Sequence, residues 1–147
     1  MSPEEQLIVV TALEETLADT SSDVRKQALH CLVALGLDGL GRIIDAIDDA
    51  KTLPACRLEA VQALGSAFSE GKVDKKAVVR MAIKALEDCL TRDDDTLVEA
   101  AVDALGDIGT EAISAKPKLL ALMDGKRNHH RIRVKCAAAL LNISPVH

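Results

Sequence analysis

The chain has no tryptophan, no tyrosine and a single phenylalanine, Phe68. That absence removes the aromatic platform on which bases and sugars stack, and so lowers the case for single-stranded nucleic-acid binding. Any core must be built from Ala, Leu, Val and Ile, whose small side chains let helix axes approach closely. Cys31, Cys56, Cys89 and Cys136 never form a Cys-x-x-Cys pair, which argues against a zinc ribbon or a dithiol redox motif. No apolar run is long enough to span a membrane and no signal-peptide pattern opens the chain, so a cytoplasmic protein is expected. A Gly-rich phosphate loop and a Gly-x-Ser-x-Gly element are both missing, and apolar residues never alternate long enough for a strand.

What is present is apolar and acidic. Of 147 residues, 48% are hydrophobic, enough for a real core, and the net charge is −5. A negative chain is a poor general binder of nucleic acid or anionic membranes. The charge is polarised, however. From Lys116 onward there are seven bases and one acid, a balance of +6, which leaves −11 on residues 1–115. Such asymmetry describes a solvated rim, an acidic partner, or a basic end meeting the acidic end of another copy.

The strongest signal is self-similarity. Val24-Arg25-x-x-Ala28-x-x-Cys31-Leu32 is echoed by Cys56-Arg57-x-x-Ala60-x-x-Ala63-Leu64, then by Leu97-Val98-x-x-Ala101-x-x-Ala104-Leu105, then by Ile132-Arg133-x-x-Cys136-x-x-Ala139-Leu140. Anchor leucines recurring at this spacing mark a stacked array rather than one closed core. Each cysteine stands where the repeat asks for a small apolar residue, so all four are expected to be reduced core thiols.

Local signals divide the array into eight helices. Ser2, Pro3 and Glu5 form a capping box that starts the first, running to about Leu17. Ser22 or Asp23 caps the second, with an inner face of Val24, Ala28, Cys31, Leu32 and Leu35 and an end at Gly36. The third covers about 38–49 and the fourth starts at Pro54. Phe68 stands where other repeats have Gly36 or Gly109, so the fourth helix runs on and stops near Gly71. Asp74 caps the fifth. Thr96 and Glu99 form a second capping box for the sixth. The seventh, about 112–123, contains Pro117, which should break or bend its first turn. The eighth runs over about 131–143. Repeat boundaries of about 3–36, 38–71, 74–109 and 112–143 follow, within one domain over 1–147. Gly65 and Gly106 sit mid-helix at one repeat position. Each costs about 1 kcal/mol relative to Ala, so close packing is the expected reason for them.

The segments Asp23-Val24-Arg25 with Ala34-Leu35-Gly36, and Ala104-Leu105-Gly106-Asp107-Ile108-Gly109, resemble HEAT repeats, in particular the short bacterial kind also found in phycobilisome-lyase-like proteins. The resemblance covers essentially the whole chain. It implies an all-α fold, an α-solenoid wound as a right-handed superhelix of four HEAT-like antiparallel helix pairs. It also implies a ladder between an Asp of each intra-repeat turn and an Arg early in the second helix: Asp19 with Arg25, Asp49 with Arg57, Asp124 with Arg133. Val98 takes the Arg position in the third repeat and should interrupt it. The second helices would line a concave surface showing Lys26, Gln27, His30, Glu59, Gln62, Glu99, Asp103 and Lys135. That surface is mixed in charge and lacks apolar anchors.

Chemistry beyond packing is thin. HEAT-like iron hydroxylases use His-Glu pairs, and this chain has no His-Glu dipeptide. His129-His130 is the most tempting metal pair, but neighbours on a helix point about 100° apart and at least three convergent ligands are needed. The run Asp93-Asp94-Asp95 lacks the alternating spacing and glycine of a calcium loop. No cofactor and no enzymatic activity are expected. The reading is a scaffold or protein-binding module. A bilin lyase or lyase accessory is one alternative, and nucleic-acid binding through Lys126, Arg127, His129, His130 and Arg131 is another. Neither end of the array shows the polar outer face of a capping repeat. The first helix is apolar around much of its girth, and Ala137 and Leu141 point where a further repeat would pack, so at least one end is expected to be covered, by another copy through self-association, by a separate partner, or by further parts of a longer protein.

Overall fold

The computed structural model describes residues 1–125 and 129–146. Helices appear where the local chemistry calls for them. At the first, the Ser2 hydroxyl accepts from the Glu5 amide at 3.2 Å while the Glu5 carboxylate accepts from the Ser2 amide at 2.8 Å, and α1 runs over Pro3–Thr16. The others are α2 (Ser22–Ala34), α3 (Leu37–Asp48), α4 (Pro54–Ser69), α5 (Lys76–Cys89), α6 (Asp95–Ile108), α7 (Lys116–Asp124) and α8 (His130–Ile143). Among the described residues there is no strand.

Three caps differ from the sequence expectation. The cap of α2 is Ser21, whose hydroxyl accepts from the Val24 amide, rather than Ser22 or Asp23. Asp19 fixes it by accepting from the Ser21 amide at 2.8 Å, which places Ser22 inside the helix. The cap of α6 is Asp94, accepting from the Leu97 amide, rather than Thr96. Glu99 does not reach back to complete a box; it pairs with Arg131 instead. Helix α5 starts after Lys75 with no side-chain cap, so Asp74 plays no such part.

Two interruptions follow the sequence. Gly36 and Gly109 end α2 and α6 with φ near +73° and +79°, a region where a Cβ is strained. Phe68 takes their place in the second pair, and α4 continues to Ser69 before Gly71 makes the same turn. Pro117 could not donate to a preceding turn, so the chain first forms a 3-10 segment, Gly109–Ala115. Helix α7 then begins at Lys116, with the proline in its first turn.

The helices stack as an α-solenoid of consecutive pairs, α1/α2, α3/α4, α5/α6 and α7/α8, around one continuous hydrophobic seam. Leu32, Ile43, Ile47, Leu64, Leu86, Leu105, Leu119 and Ile132 are fully buried along it. The second helices pack on one another more closely than the first helices do, above all α4 on α6 and α6 on α8. Glycine permits this. A Cβ on Gly65 would lie 3.2 Å from the Ala104 Cβ, and one on Gly106 would lie 3.1 Å from the Ala139 Cα.

Cys56, Cys89 and Cys136 are buried, and burial pushes the thiols of Cys89 and Cys136 up to about 11. Cys31 and Val24, expected inside, are exposed. In later pairs those two repeat positions pack on the preceding pair; at α2 none of the described residues lies there. Arg25 is buried, as Arg57 and Val98 are at the same repeat position.

Gly39 does not stand out in the repeat pattern, yet it is the tightest point. A Cβ there would stand 1.7 Å from the Leu32 carbonyl oxygen, whereas nothing lies within 4 Å of a Cβ on Gly41. The two glycines share α3 and should respond with opposite signs. Gly39→Ala is expected to destabilise the fold by about 3 kcal/mol through overpacking, and Gly41→Ala to stabilise it by about 0.5–1 kcal/mol through helix propensity. Urea unfolding of the two variants checks this; equal effects would contradict it.

Candidate functional site

Helices α2, α4, α6 and α8 together carry most of the polar residues picked out by repeat position. The expected Asp–Arg ladder runs between the layers, but not through carboxylates. The Arg25 guanidinium donates to the backbone oxygen of Asp19 at 2.9 Å. Arg57 donates to the backbone oxygens of Ile47 at 3.0 Å and Asp49 at 2.7 Å. Each arginine thus satisfies carbonyls left over at or just beyond the end of the preceding helix, where a cation also complements the helix dipole. The Asp19 and Asp49 carboxylates are occupied locally, accepting from the amides of Ser21 and Lys51. Val98 is buried and interrupts the series, as expected. In the last pair Asp124 is exposed at the end of α7, and the Arg133 Nε is buried without a hydrogen-bond partner among the described residues.

Glu59 was expected on an open face and is instead buried. The Arg25 Nε donates to it at 2.6 Å and the Ser22 hydroxyl at 2.5 Å. Burial raises the Glu59 carboxyl, but the hydrogen bonds from Arg25 and Ser22 outweigh it and hold the group below its ordinary value near 4.5. The pair joins α2 to α4. Sequence pattern alone missed it, since the partners lie in different repeats and neither position is shared by all four.

A second set of polar contacts joins α6 to α8 and to the residue before it. Asp95, Glu99, Asp103 and Asp107 follow one another at four-residue spacing, one face of a helix. His129 lies 3.2 Å from Asp95, Arg131 lies 2.5 Å from Glu99, and Lys135 lies 2.7 Å from Asp103. Asp107 is the fourth acid, with no cation in ion-pair range among the described residues. Partial burial, and then the charge of Asp103, raise its carboxyl above the usual range. The suggested basic end is thereby altered: His129 and Arg131 face carboxylates of α6, His130 is exposed, and Lys126 and Arg127 lie outside the described residues. Among the described residues no three His, Cys, Asp or Glu side chains converge to hold a metal ion.

Two neighbouring hollows lie along these helices. The first, about 310 Å³, lies between α2 and α4, with Lys26, His30, Glu59 and Gln62 in its walls and Leu29, Val33, Ala63 and Ala67 as an apolar floor. The second, about 320 Å³, includes Gln62, Glu99, Asp103, Asp107 and Lys135 from α4, α6 and α8. Gln62 and Ser66 line both. Seven of the eight expected face residues therefore line one or the other; Gln27, exposed on α2, lines neither. The apolar floor was not anticipated. Val33 holds the repeat position of Gly65 and Gly106, so its side chain keeps α2 and α4 from the closer approach made by α4 and α6.

No protein-family model matches the chain, and no curated protein matches it in sequence. Solved structures match its fold. An engineered protein is 24% identical over 91% of this chain, with a TM-score of 0.62. A computationally designed armadillo repeat protein for modular peptide recognition is 19% identical over 90%, with a TM-score of 0.61. A designed armadillo repeat protein in complex with the peptide (KR)4 is 20% identical over 90%, with a TM-score of 0.64. The chain spans 62%, 63% and 63% of the length of these three. At these identities the likeness concerns the fold, a helical repeat solenoid. Among the described residues no helix is long and apolar enough to cross a membrane.

The Arg25–Glu59 pair carries a pH signature. A carboxyl lowered by folding stabilises the protein above its unfolded value, near 4.5, and that stabilisation is lost as pH falls through the folded value. Glu59→Gln is expected to lower the thermal midpoint by several degrees at neutral pH, and the gap to wild type should close as pH falls from about 5 to 3. Melting curves across that range test it; a gap that does not change with pH would contradict the assignment.

Proposed function

We propose that this chain is a non-enzymatic HEAT-type module that holds an extended segment of a protein partner along the α2–α4–α6–α8 groove. One observation carries the reading: two neighbouring hollows that share Gln62 and Ser66 in their walls, one with an apolar floor and the other with an uncompensated acid, Asp107. An extended chain lying there would meet amide and hydroxyl groups able to bond its backbone. A small apolar side chain fits over Leu29, Val33 and Ala63, and a basic side chain fits beside Asp107. The fold-level likeness to designed armadillo repeat proteins, one of them in complex with (KR)4, supports a peptide as the occupant. Free thiols at Cys56, Cys89 and Cys136 support a cytoplasmic setting.

Fluorescence anisotropy with labelled (Lys-Arg)4 and (Glu-Ala)4 peptides tests this. The basic probe should bind saturably and the acidic one more weakly. Asp107→Asn should weaken the basic probe by about five-fold, the equivalent of about 1 kcal/mol for one exposed charge pair. The same variant should melt slightly higher than wild type at neutral pH, because it removes a carboxylate whose charged form the fold disfavours. Lack of saturable binding to either peptide, or indifference of the basic probe to Asp107→Asn, would overturn the reading.

A further inference from the structure

The hollow between α2 and α4 has a charge balance of its own. Its ionisable lining is Lys26, His30, Glu59, Glu70 and Lys72. Both acids are already engaged. Glu59 accepts from Arg25 and Ser22, and Glu70 pairs with Lys72 at 2.7 Å. Lys26 and His30 have no carboxylate in ion-pair range among the described residues. They stand four residues apart on α2, on one face of the helix and in one wall of the hollow. With Arg25 and Lys72 each balanced by an acid, the Lys26 ammonium is the surplus charge, and the His30 ring adds a hydrogen-bonding group beside it.

The same hollow has the apolar floor of Leu29, Val33, Ala63 and Ala67. An occupant that matches both features carries a negative charge and a small apolar group close together. An internal Asp or Glu of a peptide does not, because its carboxylate is the tip of the side chain and nothing apolar lies beyond it. A C-terminal Ala, Val or Leu does. Its carboxylate and its side chain branch from one Cα, the first toward Lys26 and His30, the second toward the floor.

The neighbouring hollow sets what comes before that last residue. The Asp107 carboxylate lies 3.4 Å from the place of a Cβ on Gly65, so it sits at the α4–α6 junction. In repeat register His30 is level with Gln62 and Asp103, and Asp107 is one turn further along. Neighbouring helix axes stand about 9 Å apart and four residues of helix add about 6 Å. The combined offset of ~11 Å is covered by about three residues of extended chain.

We infer that the α2–α4 hollow takes the C-terminal carboxylate and small apolar last side chain of the partner segment, with a basic residue about three positions earlier beside Asp107. This inference rests on the peptide-binding reading above and adds to it an end, a direction and a register.

Fluorescence anisotropy with Gly-Arg-Ser-Ser-Val, labelled at its N-terminus, tests this on the full chain. The free acid should bind about five-fold more tightly than the C-terminal amide, as for one exposed charge pair. Lys26→Gln alters an exposed side chain, and circular dichroism checks that the helices persist. It should weaken the acid to the level of the amide and leave the amide unchanged. Moving the arginine next to the valine, in Gly-Ser-Ser-Arg-Val, should weaken the acid by a similar factor, and Asp107→Asn should remove the difference between the two sequences. Equal affinity for acid and amide, with both weakened by Asp107→Asn, would overturn this inference alone and leave the peptide-binding reading standing. No saturable binding by any of these peptides would overturn both. Displacement of the labelled peptide by octanoate at lower concentration than by unlabelled peptide would give the hollow to free apolar acids and overturn the assignment to a chain end.

Discussion

The spacing of the second helices governs the rest of the molecule. Where the neighbour is alanine and the helix presents glycine, backbones come so close that one added carbon would crowd the facing helix. Each such glycine costs about 1 kcal/mol of helix propensity, and dispersion attraction along the close-packed seam offsets that cost. A core assembled this way needs no large aromatic side chain, which is why a chain with one phenylalanine still buries a continuous row of leucines and isoleucines.

Spacing also shapes the groove. At the first junction Val33 replaces glycine, and an apolar-floored compartment lies there. The buried Arg25–Glu59 pair spans the same junction. Losing one partner of such a pair is far more costly than losing an exposed one, because a charge is left buried; it therefore also fixes which residues of α2 and α4 face each other. On the α6 side Glu99 and Asp103 pair with Arg131 and Lys135 of α8, His129 lies beside Asp95, and Asp107 remains. The carboxylates lining these hollows are thus mainly paired, and Asp107 has no cation in ion-pair range among the described residues.

Much of this was legible in the sequence, since a repeat shows its own register. The glycines at 65 and 106, the delayed turn after Phe68 and the broken start of α7 at Pro117 each come from backbone chemistry that acts locally. What was not legible depends on neighbours. Ser21 and Asp94 cap in place of plausible residues one or two positions later: the Ser22 hydroxyl donates to Glu59 instead, and Glu99, the expected partner of Thr96, pairs with Arg131. Cys31 and Val24 match buried positions of later pairs, and periodicity does not reveal that the first pair lacks a neighbour among the described residues. Glu59 is buried because Arg25, thirty-four residues earlier, crosses the seam to meet it. The arginine series was visible, but its partners are carbonyls, which every residue possesses and no sequence pattern distinguishes.

The claim that helix spacing dominates can be tested by sign. Valine has a somewhat better helix propensity than glycine, so if the second helices did not press together, Gly106→Val would leave the protein as stable or make it more so. Close packing against Ala139 predicts the opposite, a loss of about 1–3 kcal/mol in urea unfolding. An unchanged or raised stability for Gly106→Val would contradict the account.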